Sequence, residues 1–141
     1  MGSTAMTKAG ILAGGLVFAG MMAQAQVQAP SVPVEAGVSA GSAVNLYLHP
    51  FLTPEELTTL RLVATNDQAL SLFVTSRAGH AALAVSPQDG FVRNGSPVPS
   101  AVALGDLPDA AAARAAALAA CDQARVGQEP CVVVLDVAPA P

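Results

Sequence analysis

The N-terminal 25 residues constrain this chain most, because they have the organisation of a secretory signal peptide. Lys8 supplies a positive charge, and residues 9–23 form a short apolar run of Ala, Gly, Leu, Val, Phe and Met. Spanning a hydrocarbon core of roughly 30 Å takes about 20 apolar residues, so this run is too short for a membrane helix. The tripeptide Ala-Gln-Ala then provides the small residues that signal peptidase requires. We therefore expect cleavage between Ala25 and Gln26.

Export sets the compartment and the domain plan of the rest of the chain. We expect a periplasmic or secreted protein in an oxidising environment, with no membrane span in its mature form. Residues 26–42 are rich in Pro, Ala, Gly and Val and are predicted to form a flexible leader. Residues 43–138 are predicted to form a single domain.

The mature chain is acidic and contains no lysine. Lys8 is the only lysine among six basic residues, so cleavage leaves five scattered arginines against ten acidic residues, a formal charge of −5. Such a surface repels phosphate backbones, and we expect no nucleic-acid partner. The absence of lysine also excludes any mechanism that needs a lysine Schiff base. The composition, 52% hydrophobic but 4% aromatic, predicts a core of Ala, Val and Leu.

The first half of the domain begins with an alternating strand pattern over residues 44–48. Thr53 and Glu56 then form a capping box, and Pro54 suits the first helical position, which together predict a helix that breaks near 66–67. Residues 67–77 fit both strand and helix spacing, and we favour a helix.

The second half of the domain is predicted to hold most of the sheet. Residues 81–85 read as a strand, which a turn and a short hairpin around Asn94 and Gly95 follow. Asp109 caps an Ala-rich helix that runs to about residue 125, and residues 131–135 have the apolar character of a central strand. The element order predicts an α+β fold: a two-layer, βαββαβ-like sandwich with a mainly antiparallel sheet and two helices on one face.

Cys121 and Cys131 are the only cysteines of the chain. In an exported protein, an even pair at this spacing is most simply a disulfide, which would join the end of the Ala-rich helix to the last strand. The spacing differs from the Cys-x-x-Cys of a redox dithiol. A zinc site would also require His49 and His80 to converge on the two cysteines.

Few residues of the chain are candidates for catalysis. Residues 37–41 match the Gly-x-Ser-x-Gly pattern with Ser39 at its centre, but the match lies in the predicted leader, without the strand and helix that a nucleophile elbow needs. His49 and His80 each flank a predicted strand, and either could act as a general base. Asp89 and Asp106 lie in predicted turns, where Asp bonds the backbone. We expect no metal and no cofactor.

From about Leu52 onward, the chain resembles a group of small exported bacterial proteins of uncharacterised function. The residues that carry the resemblance are Ala81-Ala82-Leu83-Ala84-Val85-Ser86-Pro87 with Asp89-Gly90, the Ala-rich run 112–121, and Pro130-Cys131-Val132-Val133-Val134. Some members of the group carry the label 5-aminolevulic acid synthase. That reaction uses pyridoxal phosphate bound to a lysine, and the mature chain has none.

The sequence therefore favours a non-catalytic binding or accessory module of the cell envelope, whose partner is a protein or a small ligand. The alternative is a small hydrolase or transferase that uses His80 or His49. That alternative requires either histidine to lie in a cleft within hydrogen-bond reach of Asp, Glu or Ser.

Overall fold

A computed structural model describes residues 32–72, 74–76 and 78–140, and the statements below refer to these residues. The predicted signal peptide and residues 26–31 of the predicted leader lie outside them. The strands are β1 (Val34–Ser39), β2 (Ser42–Tyr47), β3 (His80–Val85), β4 (Val92–Arg93), β5 (Ser96–Pro97), β6 (Val102–Leu107) and β7 (Val132–Pro139). The helices are α1 (Pro54–Thr65), α2 (Asp67–Ser71) and α3 (Ala110–Ala124).

The main sheet has five strands in the order β1-β2-β7-β3-β6, and all its neighbours are antiparallel. Strands β4 and β5 form a separate small hairpin. β7 lies at the centre of the main sheet, which explains why its sequence is apolar on both faces. The predicted α+β class with a mainly antiparallel sheet is confirmed.

The helices lie on both faces of the sheet, which corrects the expectation of two helices on one face. On β3, Leu83 and Val85 pack in the cluster that holds Leu60 of α1 and Leu70 of α2. The intervening residues Ala82 and Ala84 pack in a second cluster with Ala113 and Ala117 of α3. Because successive strand residues point to opposite faces, α1 and α2 cover one face and α3 covers the other.

The sheet begins inside the segment predicted to be a flexible leader. β1 pairs with β2 from Val34↔Tyr47 to Ser39↔Ser42, so the folded domain includes residues 34–42. Ala40 and Gly41, at φ 52° and 75°, close the hairpin. Two central residues with positive φ give the turn whose twist matches paired strands. Pro33 precedes the strand and has no N–H to donate to the ladder, which fits the start of β1 at Val34.

Both ends of α1 follow from local polar groups. Thr53 Oγ1 accepts the Glu56 N–H at 3.2 Å, and the Glu56 side chain accepts the Thr53 N–H at 3.1 Å, so the predicted capping box is confirmed. The break near 66–67 is also confirmed, because Asn66 ends α1 and caps α2 by accepting the Ala69 N–H. The helix favoured for residues 67–77 is present over 67–71. No described helix is both long enough and apolar enough to cross a membrane.

Helix α3 buries a stripe of small residues. Asp109 caps the helix by accepting the Ala112 N–H at 2.7 Å, as predicted. Ala113, Ala117 and Cys121 are its buried residues, spaced four apart. Cys121 forms the predicted disulfide with Cys131, immediately before β7. The bond fixes the C-terminal end of α3 to the centre of the sheet.

Candidate functional site

The face of the sheet that carries α3 is only partly covered. α3 packs on β3, β6 and β7, and α1 packs against β1 and β2 from the other face. The α3-side residues of β1 are therefore accessible: Val34 and Val38 are 48% and 72% exposed. A groove of about 430 Å³ lies where this uncovered face meets α3. Its lining residues are Val32, Tyr47, His49, Arg114, Leu118, Cys131, Val132 and Val133.

A cluster of four polar side chains lies at the edge of this groove. The buried carboxylate of Asp136 accepts hydrogen bonds from Asn45 Nδ2 at 2.9 Å and from the Tyr47 hydroxyl at 2.6 Å. Arg114 Nη2 forms an ion pair with the same carboxylate and donates to the Tyr47 hydroxyl. The guanidinium also lies 5.5 Å from the centroid of the Tyr47 ring. This polar cluster joins β2, β7 and α3.

The electrostatics of the polar cluster keep Tyr47 protonated and Arg114 charged at neutral pH. Burial raises the pKa of Tyr47, and its hydrogen bond to Asp136 raises that pKa further. Burial opposes the charge of Arg114, but the hydrogen bond and the negative charge of Asp136, together with the contact to Tyr47, outweigh burial and raise the pKa of the guanidinium. Tyr47 thus acts as a hydrogen-bond donor in this cluster.

Arg114 is held by one nitrogen only. Nη2 makes both of its hydrogen bonds within the described chain, and Nε and Nη1 have no partner among the described residues. The side chain is 46% exposed. Each bidentate pair of a guanidinium, Nε with Nη2 or Nη1 with Nη2, includes Nη2, whose two hydrogens are already used here. The Nε–H and Nη1–H groups are therefore available to donate single charge-assisted hydrogen bonds to a ligand.

His49 lines the groove and bonds the backbone of β7. Its Nε2 lies 2.9 Å from the Val133 carbonyl oxygen. Since a carbonyl only accepts, Nε2 carries the proton, and Nδ1 is the acceptor of the neutral ring. The ring stacks on Phe51 with centroids 5.5 Å apart.

His80 lies far from His49 along the sheet. It begins β3, where the next residue, Ala81, pairs with Val137, whereas His49 bonds Val133 towards the other end of β7. His80 Nδ1 is buried and has no hydrogen-bond partner among the described residues. Neither histidine hydrogen-bonds a described Asp, Glu or Ser side chain. Nor does the described chain contain a group of three or more His, Cys, Asp or Glu side chains placed to hold a metal ion.

Ser39 lies at a hairpin and not at a nucleophile elbow. It ends β1, and a two-residue turn leads directly into β2, so no helix follows the serine. Its hydroxyl donates to Asp67 Oδ1 at 2.7 Å, and the Ala40 N–H donates to the same oxygen at 3.0 Å. The motif serves to fix the turn to α2.

The two predicted turn aspartates bond backbone groups, but these belong to distant loops. Asp89 accepts the N–H groups of Val126 and Gly127, each at 2.8 Å. Asp106 accepts the N–H groups of Thr75 and Ser76, each at 2.9 Å. Both carboxylates therefore stabilise the surface loops around the sheet.

A larger cavity, of about 610 Å³, lies at the far end of β1 and β2. Its described lining offers hydroxyls and backbone, without an ionisable side chain. The lining residues are Ala40, Gly41, Ser42, Leu70, Ser71, Val74, Thr75, Ser76 and Ala140. The groove beside α3 has a smaller volume, but its lining includes the ionisable side chains of Tyr47, His49 and Arg114.

Sequence reasoning did not find the polar cluster. Its members are far apart in the chain, with Asn45 and Asp136 separated by 91 positions. The available signal was local: Asn45 and Tyr47 alternate with buried apolar residues on β2, and Asp136 interrupts an otherwise apolar β7. A lone carboxylate in a central strand requires hydrogen-bond donors or a positive charge on the neighbouring elements.

No family model, curated protein or solved structure matches the chain. The resemblance to small exported bacterial proteins therefore stays a prediction.

Proposed function

We propose that this chain is an exported, non-catalytic binding module of the cell envelope, and that its groove takes a small ligand with a carboxylate and an apolar body. One observation carries the proposal: Arg114 lines the groove and is fixed through Nη2, while its Nε and Nη1 have no partner among the described residues. Two anchored bonds restrain the guanidinium before any ligand arrives. Such preorganisation reduces the entropy cost of binding.

The groove supplies the two kinds of contact that such a ligand needs. Leu118, Val132 and Val133 give apolar surface, and the Cys121–Cys131 disulfide borders it. Arg114 gives a charged hydrogen-bond donor at one side. Binding sites for small molecules commonly combine an apolar lining with a few placed polar groups.

The hydrogen bonds of the groove support a non-catalytic role. The Tyr47 hydroxyl donates a hydrogen bond to Asp136, and its pKa is raised. Tyr47 therefore stays protonated and is poorly suited to act as a base. His49 bonds a backbone carbonyl, and the described chain gives it no orienting carboxylate. The alternative, a hydrolase or transferase built on His80 or His49, needs such a partner, and no contact of the described residues favours it.

The export half of the proposal rests on the signal-peptide pattern and is supported by the disulfide. Disulfides persist in oxidising compartments and are rare in the reducing cytosol. Mass spectrometry of the protein from a bacterial periplasm tests this half directly. We expect a mature terminus at Gln26 and a mass lowered by two hydrogens at the cysteines. An intact chain in the cytosol with both thiols free would contradict export.

The ligand half is tested by titration of the ¹⁵N-labelled protein with 4-phenylbutyrate, and with 4-phenylbutanamide as its uncharged match. We expect the carboxylate to shift the Arg114 Nε–H signal and the backbone signals of the groove, and the amide to bind more weakly. Arg114→Gln should weaken carboxylate binding by about tenfold or more, because a hydrogen bond to a charged group contributes about 1.5–3 kcal/mol.

The matched control is Arg61→Gln. Arg61 is also an exposed arginine in an ion pair, but it bonds Glu35 on the α1 side of the sheet. This variant should bind 4-phenylbutyrate like the wild type. Equal binding of the acid and the amide, or equal loss in the two variants, would rule out Arg114 as the carboxylate contact.

A further inference from the structure

Strand β1 is an edge of the main sheet with little of the usual protection against pairing, since its one charged residue, Glu35, is paired with Arg61. Within the described residues, β1 pairs only with β2. Its register to β2 is regular over all six residues, with no bulge. The strand contains neither lysine nor proline, the residues that most often block an exposed edge.

The opposite edge, β6, is protected. Its pairing with β3 is interrupted by a register shift near His80, and Asp106 within the strand has φ 57°. The Asp106 carboxylate also holds the loop at Thr75 and Ser76 against this end of the strand. The two edges of the main sheet therefore differ, and of the two only β1 is a strand of uninterrupted register.

The hairpin fixes which backbone groups of β1 are free. Leu48 donates to the Pro33 carbonyl at 2.8 Å, and this bond sets the alternation along the strand. The odd-numbered positions of β1 bond β2, so the N–H and C=O groups of Val34, Ala36 and Val38 point away from the sheet. The side chains of these three residues lie on the uncovered face, and all three residues are exposed.

We propose that β1 pairs antiparallel with β1 of a second copy of this chain, centred on Ala36, to form a continuous ten-stranded sheet. Around a two-fold axis at Ala36, this residue faces its own equivalent, and Val34 faces Val38 of the second copy. All the outward-facing residues then meet each other in hydrogen-bonded pairs, in which two facing residues exchange both backbone hydrogen bonds. No other partner is needed to satisfy the edge.

Charge and side-chain shape fit this register. Val34 and Val38 are the exposed large apolar side chains of the strand, and the pairing places them side by side on one face. Glu35 faces Gly37 of the second copy, so the two carboxylates are not opposed. Arg61 already forms an ion pair with Glu35 through Nη2 at 2.7 Å, which offsets the charge next to the edge.

The size of the contact predicts a weak dimer. A single six-residue strand pair buries less than the roughly 1,200 Å² of a small stable interface. We therefore expect a dissociation constant on the order of 100 μM, so that dimer forms as concentration rises. Sedimentation velocity of the purified protein from about 5 μM to 1 mM should show this change. A wild-type protein that stays monomeric throughout would overturn the proposal.

A cysteine scan of β1 tests the register. In the proposed dimer, the Cα atoms at position 36 of the two copies are about 5.5 Å apart, which suits a disulfide. Ala36→Cys should therefore give a covalent dimer under mild oxidation. Val34→Cys is the matched control, because position 34 faces position 38 and not itself. Peptide mapping must show Cys121–Cys131 intact in both variants. Equal cross-linking of the two variants would contradict the register.

A proline at the same position tests the hydrogen bonds. Ala36→Pro removes an outward N–H that β2 does not use, and Ala36→Ser keeps it. We expect the proline variant to stay monomeric up to about 1 mM and the serine variant to dimerise like the wild type. Far-UV circular dichroism confirms that each is folded. A folded proline variant with unchanged dimerisation would overturn the proposal. A protein whose β1 pairs with added peptides but never with β1 of a second copy would overturn it as well.

Discussion

The carboxylate of Glu56, in the first turn of α1, accepts the backbone N–H of Phe91, 35 residues further along the chain. The same oxygen accepts the Val92 N–H at 2.9 Å and lies 3.3 Å from Arg93 Nη1. The other oxygen completes the capping box with Thr53. One buried side chain therefore both starts a helix and fixes the β4–β5 hairpin to the core.

Glu56→Gln should destabilise the protein strongly. The amide supplies one oxygen and one NH₂ group where the structure needs two acceptors, so a buried donor faces another donor. We expect a loss of about 2–4 kcal/mol in the free energy of unfolding, measured with urea. Glu55→Gln is the control, since Glu55 is exposed, and it should change stability by less than about 0.5 kcal/mol.

The free energy of unfolding should decrease at low pH, and protonation of Glu56 should account for part of the decrease. Burial opposes its ionisation, but the N–H groups of Val92, Thr53 and Phe91, with Arg93, lower the pKa below its ordinary value of 4.5. A lowered pKa in the folded state means that the stabilisation is present above about pH 4.5. It is lost as the pH falls through the folded-state value.

The pH dependence is measured by urea unfolding of the wild type and Glu56→Gln between about pH 7 and pH 3. The difference in the free energy of unfolding between the wild type and Glu56→Gln should narrow as the pH falls, because protonated Glu56 resembles the amide. Asp89 and Asp106 also have a lowered pKa, chiefly through the N–H groups of Val126 and Ser76, so both proteins keep some acid sensitivity. If the free energies of unfolding of the two proteins differ by the same amount across this range, ionisation of Glu56 does not contribute to the loss of stability in acid.

Local signals in the sequence predicted the elements well. The Thr53 capping box, the Asp109 cap and the Asn94-Gly95 turn each depend on residues within three positions of one another, and each element begins or turns there. The face on which α3 lies depends on tertiary packing. The sequence of β3 did indicate this face, because alanines alternate there with larger residues. A helix with small side chains packs closely on the alanine face.

The site could not be predicted in the same way. Arg114 follows a run of alanines on an exposed helix face, and nothing nearby in the sequence marks Asp136 as its partner. The pairing depends on the strand order, in which β7 lies between β2 and β3. That order is a property of the whole chain, and an isolated pattern of strands does not determine it.

Tyr47 should titrate above its ordinary value of 10.0, because burial and Asp136 both raise its pKa. It is the only tyrosine, and the chain has no tryptophan, so absorbance near 295 nm follows this single group. Asp136→Asn removes the negative charge and should lower the tyrosine pKa. Glu129→Gln, a charge change at an exposed loop position, should leave it unchanged. Circular dichroism at each pH shows where unfolding begins, and equal titration of the two variants below that point would contradict the contact.

Removal of the disulfide should cost about 2–3 kcal/mol, the loop-entropy estimate for closing about ten residues. Alanine at both Cys121 and Cys131 avoids burying a hydroxyl in place of Cys121, which is fully buried. The variant should still fold, since Asp89 holds Val126 and Gly127 of the same loop. Urea unfolding of the double alanine variant should match that of reduced wild type. A double variant as stable as the oxidised protein would contradict this estimate.

Ala40→Asn should stabilise the protein, although it replaces an apolar side chain with a polar one. Ala40 has φ 52° at the first central position of the β1–β2 turn, a left-handed conformation that costs an alanine about 1 kcal/mol. Asparagine tolerates this conformation, and Asn-Gly is the preferred pair for such turns. We expect a gain of about 0.5–1 kcal/mol in urea unfolding. The same substitution at Ala115, exposed within α3, should instead destabilise by about 0.5 kcal/mol, because asparagine is a weaker helix former. Losses at both positions would mean that the left-handed conformation does not govern this turn.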